Sequence, residues 1–98
     1  MSMRTQHVPC FLVEWYRPEF GPEPRERSAA ALSACAESMT ANGCPVELVT
    51  MLAVPSDESL FAVFTAGSAD LVAKTCDQAG MPAQRLTAAD ITLSRSKG

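Results

Sequence analysis

The segment VELVTMLAVPSDESLFAVFTAGSADLVAKTCDQAGMP, residues 46–82, decides the fold that the sequence predicts. Val46–Val54 and Leu60–Thr65 are short apolar runs rich in branched and aromatic residues, which is typical of β-strands. Between them, Pro55–Ser59 supplies the proline, aspartate and serine that hairpin loops favour. The second run is apolar at both odd and even positions, which indicates a sheet covered on both faces.

A glycine turn joins the second of these strands to a helix. Such a turn can cradle a phosphate, but a Walker loop needs a lysine after its second glycine and a dinucleotide site needs three glycines. The segment TAGSAD, residues 65–70, has neither pattern. Ser68 stands where a helix N-cap is expected and Asp70 suits the first turn. The sequence therefore predicts a structural turn and a helix over residues 69–79, ended by Gly80.

Two more strands and one more helix flank this segment. VPCFLVEWY, Val8–Tyr16, and RLTAADITLS, Arg85–Ser94, predict the first and last strands. SAAALSACAESMTANG, residues 28–43, predicts a helix that begins in the proline-rich stretch before it and stops at Asn42-Gly43. Apolar side chains recur there at i, i+3, i+4 and i+7 and form one stripe: Leu32, Cys35, Ala36 and Met39.

The order β-α-β-β-α-β predicts a ferredoxin-like α+β sandwich. In this fold a four-stranded antiparallel sheet carries both helices on one face. We expect a single domain over residues 8–94, with polar tails at 1–7 and 95–98.

Composition narrows the function. The chain has 98 residues and a formal net charge of -3, and its eight basic residues form no stripe, so nucleic-acid binding is not expected. The amino terminus lacks the apolar stretch of a signal peptide, and no segment approaches the ~20 apolar residues that cross a bilayer. We therefore expect a cytoplasmic protein with no membrane role and reduced thiols. Its cysteines show no C-x-x-C spacing, which argues against a zinc ribbon.

A second prediction concerns the face of the sheet opposite the helices. Alternation along the first strand puts Phe11, Val13 and Trp15 on one face and Cys10, Leu12, Glu14 and Tyr16 on the other. The other strands are apolar enough that neither face suits water over its whole extent. We therefore expect the bare face to pack on a second copy, giving a homodimer through the sheet face.

Glu14 is the candidate site residue on that face, because a carboxylate between two sheets must pair, protonate or bind a cation. One interpretation is an ion pair with Arg17 or Arg85; the other is a ligand or metal site. Cys10 shares the face of Glu14 and could add a thiolate to a cation site. His7 is the only histidine, so a catalytic triad or dyad would have to be built around it, which disfavours a hydrolase.

The segment FLVE, residues 11–14, and the run LAVPSDESLFAVFTAGSADLVAKTCDQAGMPAQRLT, residues 52–87, resemble a family of small actinobacterial proteins of unknown function. Its named members are nickel-binding proteins, and the resemblance covers Pro9 to Leu93. It implies the ferredoxin-like fold, a dimer and nickel as a possible metal.

The metal ligands of that family are only partly present. Many members have a His-Ser pair in the second strand and a cysteine in the third, where this chain has Leu52-Ala53 and Ala62. Glu14 is the polar position that the resemblance retains. With the residues above, the candidate metal ligands are Glu14, Cys10 and His7.

Three functions stay open at this point. The first is a small non-catalytic binding protein that holds nickel or another transition metal as a dimer. The second is a cofactor-free dimeric α+β-barrel enzyme, monooxygenase- or isomerase-like, acting on a small apolar substrate. Its pocket would lie between sheet and helices near Trp15 and Tyr16, with Glu14 as general base. The third is an interaction domain without a small ligand. We favour the first and expect no catalysis.

Overall fold

A computed structural model describes residues 4–16 and 22–95, with side chains for residues 9–16 and 25–92. Each helix and strand predicted from the sequence is present. In chain order they are β1 (Arg4–Tyr16), α1 (Pro22–Ala41), β2 (Val46–Val54), a short 3-10 turn (Pro55–Asp57), β3 (Ser59–Ala66), α2 (Ala69–Gln78) and β4 (Arg85–Arg95).

The strands form one antiparallel sheet in the order β2-β3-β1-β4. The hydrophobic core lies between one face of this sheet and the two helices. The protein is therefore an α+β domain with a four-stranded antiparallel sheet and two helices, which is compatible with the predicted ferredoxin-like fold. In the described part of the chain, no helix is long and apolar enough to span a membrane.

The strands at the two ends of the chain are longer than predicted. β1 begins at Arg4, before the predicted start at Val8, and it pairs with β4 from Arg4↔Arg95 onward. Residues 4–7 and Arg95 therefore belong to the sheet rather than to polar tails. The cause is that ladder hydrogen bonds satisfy main-chain groups whatever the polarity of the side chains, so polarity was a poor guide to the strand ends.

The core is built from alternate residues of the two central strands. Val13 and Trp15 of β1 lie opposite Ala62 and Leu60 of β3, and all four side chains are buried. The helices close over them with Leu32, Ala36 and Met39 of the stripe predicted for α1 and with Val72 and Cys76 of α2. Cys35, the fourth residue of the predicted stripe, is only half-buried. Each large apolar side chain buried in this way contributes roughly 1.5–3 kcal/mol of transfer free energy.

A β-bulge changes which residues of β2 reach this core. The register of β2 with β3 slips between Leu48 and Thr50, so Val49 is an extra residue. Val46 and Leu48 pack on the helix side before the bulge, whereas Met51 and Ala53 do so after it. Strict alternation from Val46 would have put Leu52 in the core; the bulge puts it on the opposite face instead.

The helix ends follow the predicted signals. Ser68 caps α2, because its hydroxyl accepts a hydrogen bond from the main-chain N–H of Leu71 at 3.4 Å. Beyond the ends of the helices, Gly43 and Gly80 have φ of 89° and 76°, a left-handed conformation that favours glycine.

The indole of Trp15 fixes the loop between α2 and β4. Its N–H donates to the carbonyl oxygens of Met81 at 3.0 Å and Pro82 at 3.1 Å. The ring itself is buried in the core. One side chain of β1 therefore sets the position from which β4 starts.

Candidate functional site

The face of the sheet away from the helices, called here the open face, is largely apolar. Pairing between the strands sets Leu12 beside Val63, and Glu14 beside Phe61, while Phe61 pairs in turn with Leu52. Leu52 is 61% exposed and Tyr16, at the end of β1, is 53% exposed, although both are large apolar or aromatic side chains. The open face thus combines a continuous apolar surface with one carboxylate on its central strand.

Within residues 9–16 and 25–92, Glu14 has two side-chain partners, and only 14% of its side chain is exposed. The hydroxyl of Tyr16 donates to Glu14 Oε1 at 3.0 Å, and Arg85 Nε lies 3.9 Å from Glu14 Oε2. The predicted ion pair with Arg85 is confirmed, and the side chain of Arg17 lies outside the described residues. Because Arg85 is mostly exposed, this ion pair contributes about 0–1 kcal/mol.

Strand pairing explains why these groups meet. Arg85 is the residue of β4 directly opposite Glu14, and Tyr16 follows Glu14 by two positions on the same face of β1. Gln84 ties the two strands at this point. Its main-chain N–H donates to the carbonyl of Glu14 at 3.1 Å, while its side-chain oxygen accepts from the main-chain N–H of Tyr16. The carboxylate is therefore held by the end of β1 and the start of β4 together.

Tyr16 is the partner that sequence reasoning missed. The spacing of two residues on one strand was enough to predict that Tyr16 and Glu14 share a face. It was not enough to predict contact, because two such side chains reach each other only when their rotamers turn together.

Cys10 lies on the open face, but it does not lie close to Glu14. The thiol is only 4% exposed, and burial, with a smaller contribution from the Asp90 carboxylate, raises the pKa of Cys10 above its ordinary value. Four residues of strand separate Cys10 from Glu14, about 13 Å between their Cα atoms at 3.3 Å per residue. Within one subunit these two residues therefore do not bind one ion together.

His7 lies in β1, where it pairs with Thr92 of β4, and its side chain lies outside the described residues. Its main chain is about 23 Å along the strand from that of Glu14. No group of three or more His, Cys, Asp or Glu side chains that could hold a metal ion occurs among the described residues. The metal site of Glu14, Cys10 and His7 stays a prediction.

The catalytic pocket expected between sheet and helices does not fit these positions. Trp15 faces the helices and is buried, whereas Glu14 and Tyr16 face the other way. The described structure has open grooves of about 450 Å³ beside Arg25 and Met51 and of about 680 Å³ beside Thr40 and Val46, among others. Glu14 lines neither of these two grooves, and because it lies on the open face, a pocket that used this carboxylate would lie on that face.

Comparison with known proteins gives a fold but no family. No protein-family model and no curated protein sequence matches the chain. In structure, the chain is similar to SCO4226 from Streptomyces coelicolor A3(2), whose crystal structure superposes with a TM-score of 0.69 at 15% identity. The superposition covers 79% of this chain and 90% of that chain. At this identity the similarity supports the α+β architecture alone, and the resemblance to nickel-binding proteins stays a prediction.

Proposed function

We propose that this chain is a small, non-catalytic, ferredoxin-like binding protein that forms a homodimer through the open face and holds nickel or another transition metal with Glu14. The observation that carries the proposal is the environment of this carboxylate. It is largely buried on an apolar surface, and among the described residues its one cationic neighbour is a mostly exposed guanidinium at 3.9 Å. Glu14 therefore has weak charge compensation in the single subunit.

Dimerisation would increase the cost of leaving the charge of Glu14 weakly compensated. A second copy packed on the open face would remove water from Leu12, Phe61 and Leu52, and it would enclose Glu14 as well. A carboxylate enclosed in this way has to pair, protonate or bind a cation. With the twofold axis near Glu14, the two Glu14 side chains would approach each other, and a cation between them would offset both charges.

The choice of metal rests on chemistry and on the resemblance to the actinobacterial nickel-binding family. Nickel prefers nitrogen donors together with oxygen, and His7 of each copy is the only imidazole that the dimer could add. Cys10 would be a weaker ligand, because a metal binds the thiolate and a raised thiol pKa disfavours that form. The same proposal places the protein in the cytoplasm, where its cysteines, all free, stay reduced.

Native mass spectrometry of the untagged protein, with and without added nickel, tests the proposal. We expect each open-face dimer to gain metal ions, and we expect Glu14→Gln to lose at least tenfold in nickel affinity because the carboxylate is the anionic ligand. Glu47→Gln is the matched control, since Glu47 of β2 also lies on the open face but is exposed. Equal nickel uptake by the wild type and Glu14→Gln would contradict the role of Glu14.

The enzyme alternative would use the same carboxylate as a general base. The Tyr16 hydroxyl that donates to Glu14 is the observation in its favour, because a positioned donor can hold a proton close to the reacting atoms. Its pocket also needs the second copy to enclose the open face. A dimer with no metal uptake, whose inter-sheet space binds a small apolar molecule in a Glu14-dependent manner, would favour this alternative over the metal site.

A further inference from the structure

The free edge of β2 is a second surface with a defined partner. We infer that this edge pairs antiparallel with the same edge of a second copy, about a twofold axis at Leu52. The contact differs from the proposed dimer through the open face, because it uses main-chain groups of β2 that have no partner among the described residues.

Hydrogen bonds across the sheet set the direction of the main-chain groups. The carbonyl of Glu14 and the N–H of Tyr16 both bond to Gln84, at the start of β4. Even-numbered residues of β1 therefore point their main-chain groups toward β4, and odd-numbered residues, such as Trp15, point theirs toward β3. Since Trp15 pairs with Leu60, the even residues of β3 face β1 and the odd ones face β2.

The same alternation reaches the edge. Phe61 faces β2 and pairs with Leu52, so the main-chain groups of Leu52 face the sheet and those of Met51 and Ala53 face outward. Val46, before the bulge, supports this assignment independently. Its N–H and its carbonyl both bond outward, to the Thr40 hydroxyl, at 3.0 Å each. Among the described residues, the outward groups of Met51 and Ala53 have no such partner.

The exposed part of this edge also lacks the features that normally prevent strand pairing. Proteins protect edge strands with charged residues, proline or a bulge. β4, the other edge strand, carries Arg85 and Asp90 among its residues. In β2 the protection is at the start, where Thr40 covers Val46 and the bulge lies at Val49, whereas residues 50–54 contain neither a charge nor a proline. The unprotected stretch is therefore short and defined.

Residues 50–54 can pair antiparallel with the same residues of a second copy. With Leu52 on a twofold axis, Met51 and Ala53 of the two copies form hydrogen-bonded pairs, which give four N–H···O bonds in all. Leu52 lies opposite Leu52 of the second copy, which covers a side chain that is 61% exposed in the single chain.

The adjacent groove supports a second copy as the occupant. Met51 and Ala53 line a groove of about 450 Å³ whose other wall, in α1, carries Arg25 and Glu26. A wall with one cation and one anion is complementary to its own twofold copy, because each arginine can approach the other copy's glutamate. A purely acidic or basic wall would instead have favoured a partner of opposite charge.

Hydrogen exchange of the wild-type protein tests this directly. The amides of Met51 and Ala53 have no acceptor within the described chain, so a single subunit would exchange them rapidly, while those of Thr50 and Leu52 would be protected by the ladder to β3. We expect all four amides to be protected, with protection at Met51 and Ala53 lost at least tenfold on dilution to monomer. Rapid exchange of Met51 and Ala53 at high protein concentration would overturn the inference.

The substitution Ala53→Pro tests it by mass. Proline removes the outward N–H of residue 53 and leaves the ladder to β3 intact. With both contacts present we expect light scattering to give a tetramer, which Ala53→Pro reduces to a dimer. Phe61→Lys adds a charge to the open face and leaves the outward main-chain groups of β2 unchanged, so it should give the dimer held by the β2 contact. The double variant should be a monomer.

The two proposals fail separately in this experiment. An unchanged mass for Ala53→Pro overturns the β2 contact and leaves the open-face dimer standing. An unchanged mass for Phe61→Lys, with a halved mass for Ala53→Pro, overturns the open-face dimer and leaves the β2 contact standing. A wild-type monomer at high concentration overturns both contacts, and the β2 edge would then be available to a peptide of another protein.

Discussion

The two faces of the sheet are built by the same strands, yet they differ in what covers them. On the helix side, Val13, Ala62 and Phe64 are fully buried. On the open face, the neighbouring residues Phe61 and Val63 are only half-buried, although they are just as apolar. The comparison shows that a strand with apolar residues on both faces indicates a sheet that has to be shielded from water on both sides. The helices of one chain shield only one of them. The proposed dimer follows from this imbalance.

The largest expected effect tests the comparison within one strand. Phe64→Ala removes a buried ring from the core, and we expect the free energy of unfolding to fall by about 3–5 kcal/mol. Phe61→Ala, three residues earlier on the open face, should cost less than half of this at low protein concentration. Urea unfolding followed by circular dichroism measures both. Equal losses at low concentration would mean that the two faces do not differ in packing.

A further test of that pair uses protein concentration. If the open face is paired in the dimer, the cost of Phe61→Ala should increase with protein concentration, because the substitution then weakens association as well. The cost of Phe64→Ala should depend on concentration much less, since Phe64 lies inside one subunit.

A smaller effect is expected at the contact between the Trp15 indole and the loop that precedes β4. Trp15→Phe keeps an aromatic ring in the core but removes the N–H that bonds to Met81 and Pro82. Two carbonyl oxygens then lose their donor, and we expect a loss of about 1–3 kcal/mol in the free energy of unfolding. Thermal unfolding measures the loss. Trp15→Tyr does not serve as a control, because its hydroxyl adds a new polar group. A loss below about 0.5 kcal/mol would mean that the loop is held by other contacts.

The smallest effect at neutral pH concerns a thiol on the helix side. Burial, then the nearby Asp77 and Cys35, raise the pKa of Cys76 from 9.0 to about 12. In the unfolded chain this thiol ionises near pH 9, whereas in the folded protein it stays neutral. The stability that the neutral thiol contributes is therefore complete below pH 9 and is lost as the pH rises from about 9 to about 12.

Unfolding measured against pH for the wild type and Cys76→Ala checks this. We expect the wild type to lose more stability than Cys76→Ala over this range, and we expect alkylation of native Cys76 at about pH 8 to be slower than that of half-buried Cys35. Parallel pH profiles for the two proteins would contradict the raised pKa.

Several elements could be predicted because their signals are local. The predicted bounds of β2 match the structure, and Ser68 and Gly80 mark the ends of α2 as expected. Cys44 shows where local signals end: it follows a helix stop in the sequence, yet it packs against the core. The chain after the stop turns back under α1, and a helix stop does not say in which direction the chain continues.

At the candidate site the pairing of Glu14 with Arg85 was one of two predicted options, whereas the Tyr16 contact was not predicted. Both partners depend on strand register, and register depends on the packing of the whole sheet. Leu52 shows the same limit more sharply. One extra residue at Val49 moves it from the core side to the open face, where it lies on the proposed β2 contact.

By itself, the sequence determined the number, type and order of the elements and the apolar character of the central strands, because turn residues, caps and periodicity act over a few neighbouring positions. Only the tertiary structure decided which apolar face the helices cover, which residues surround Glu14, and which edge groups of β2 point outward. These depend on register and on a bulge, and a shift of one residue in either reverses the direction of every side chain that follows.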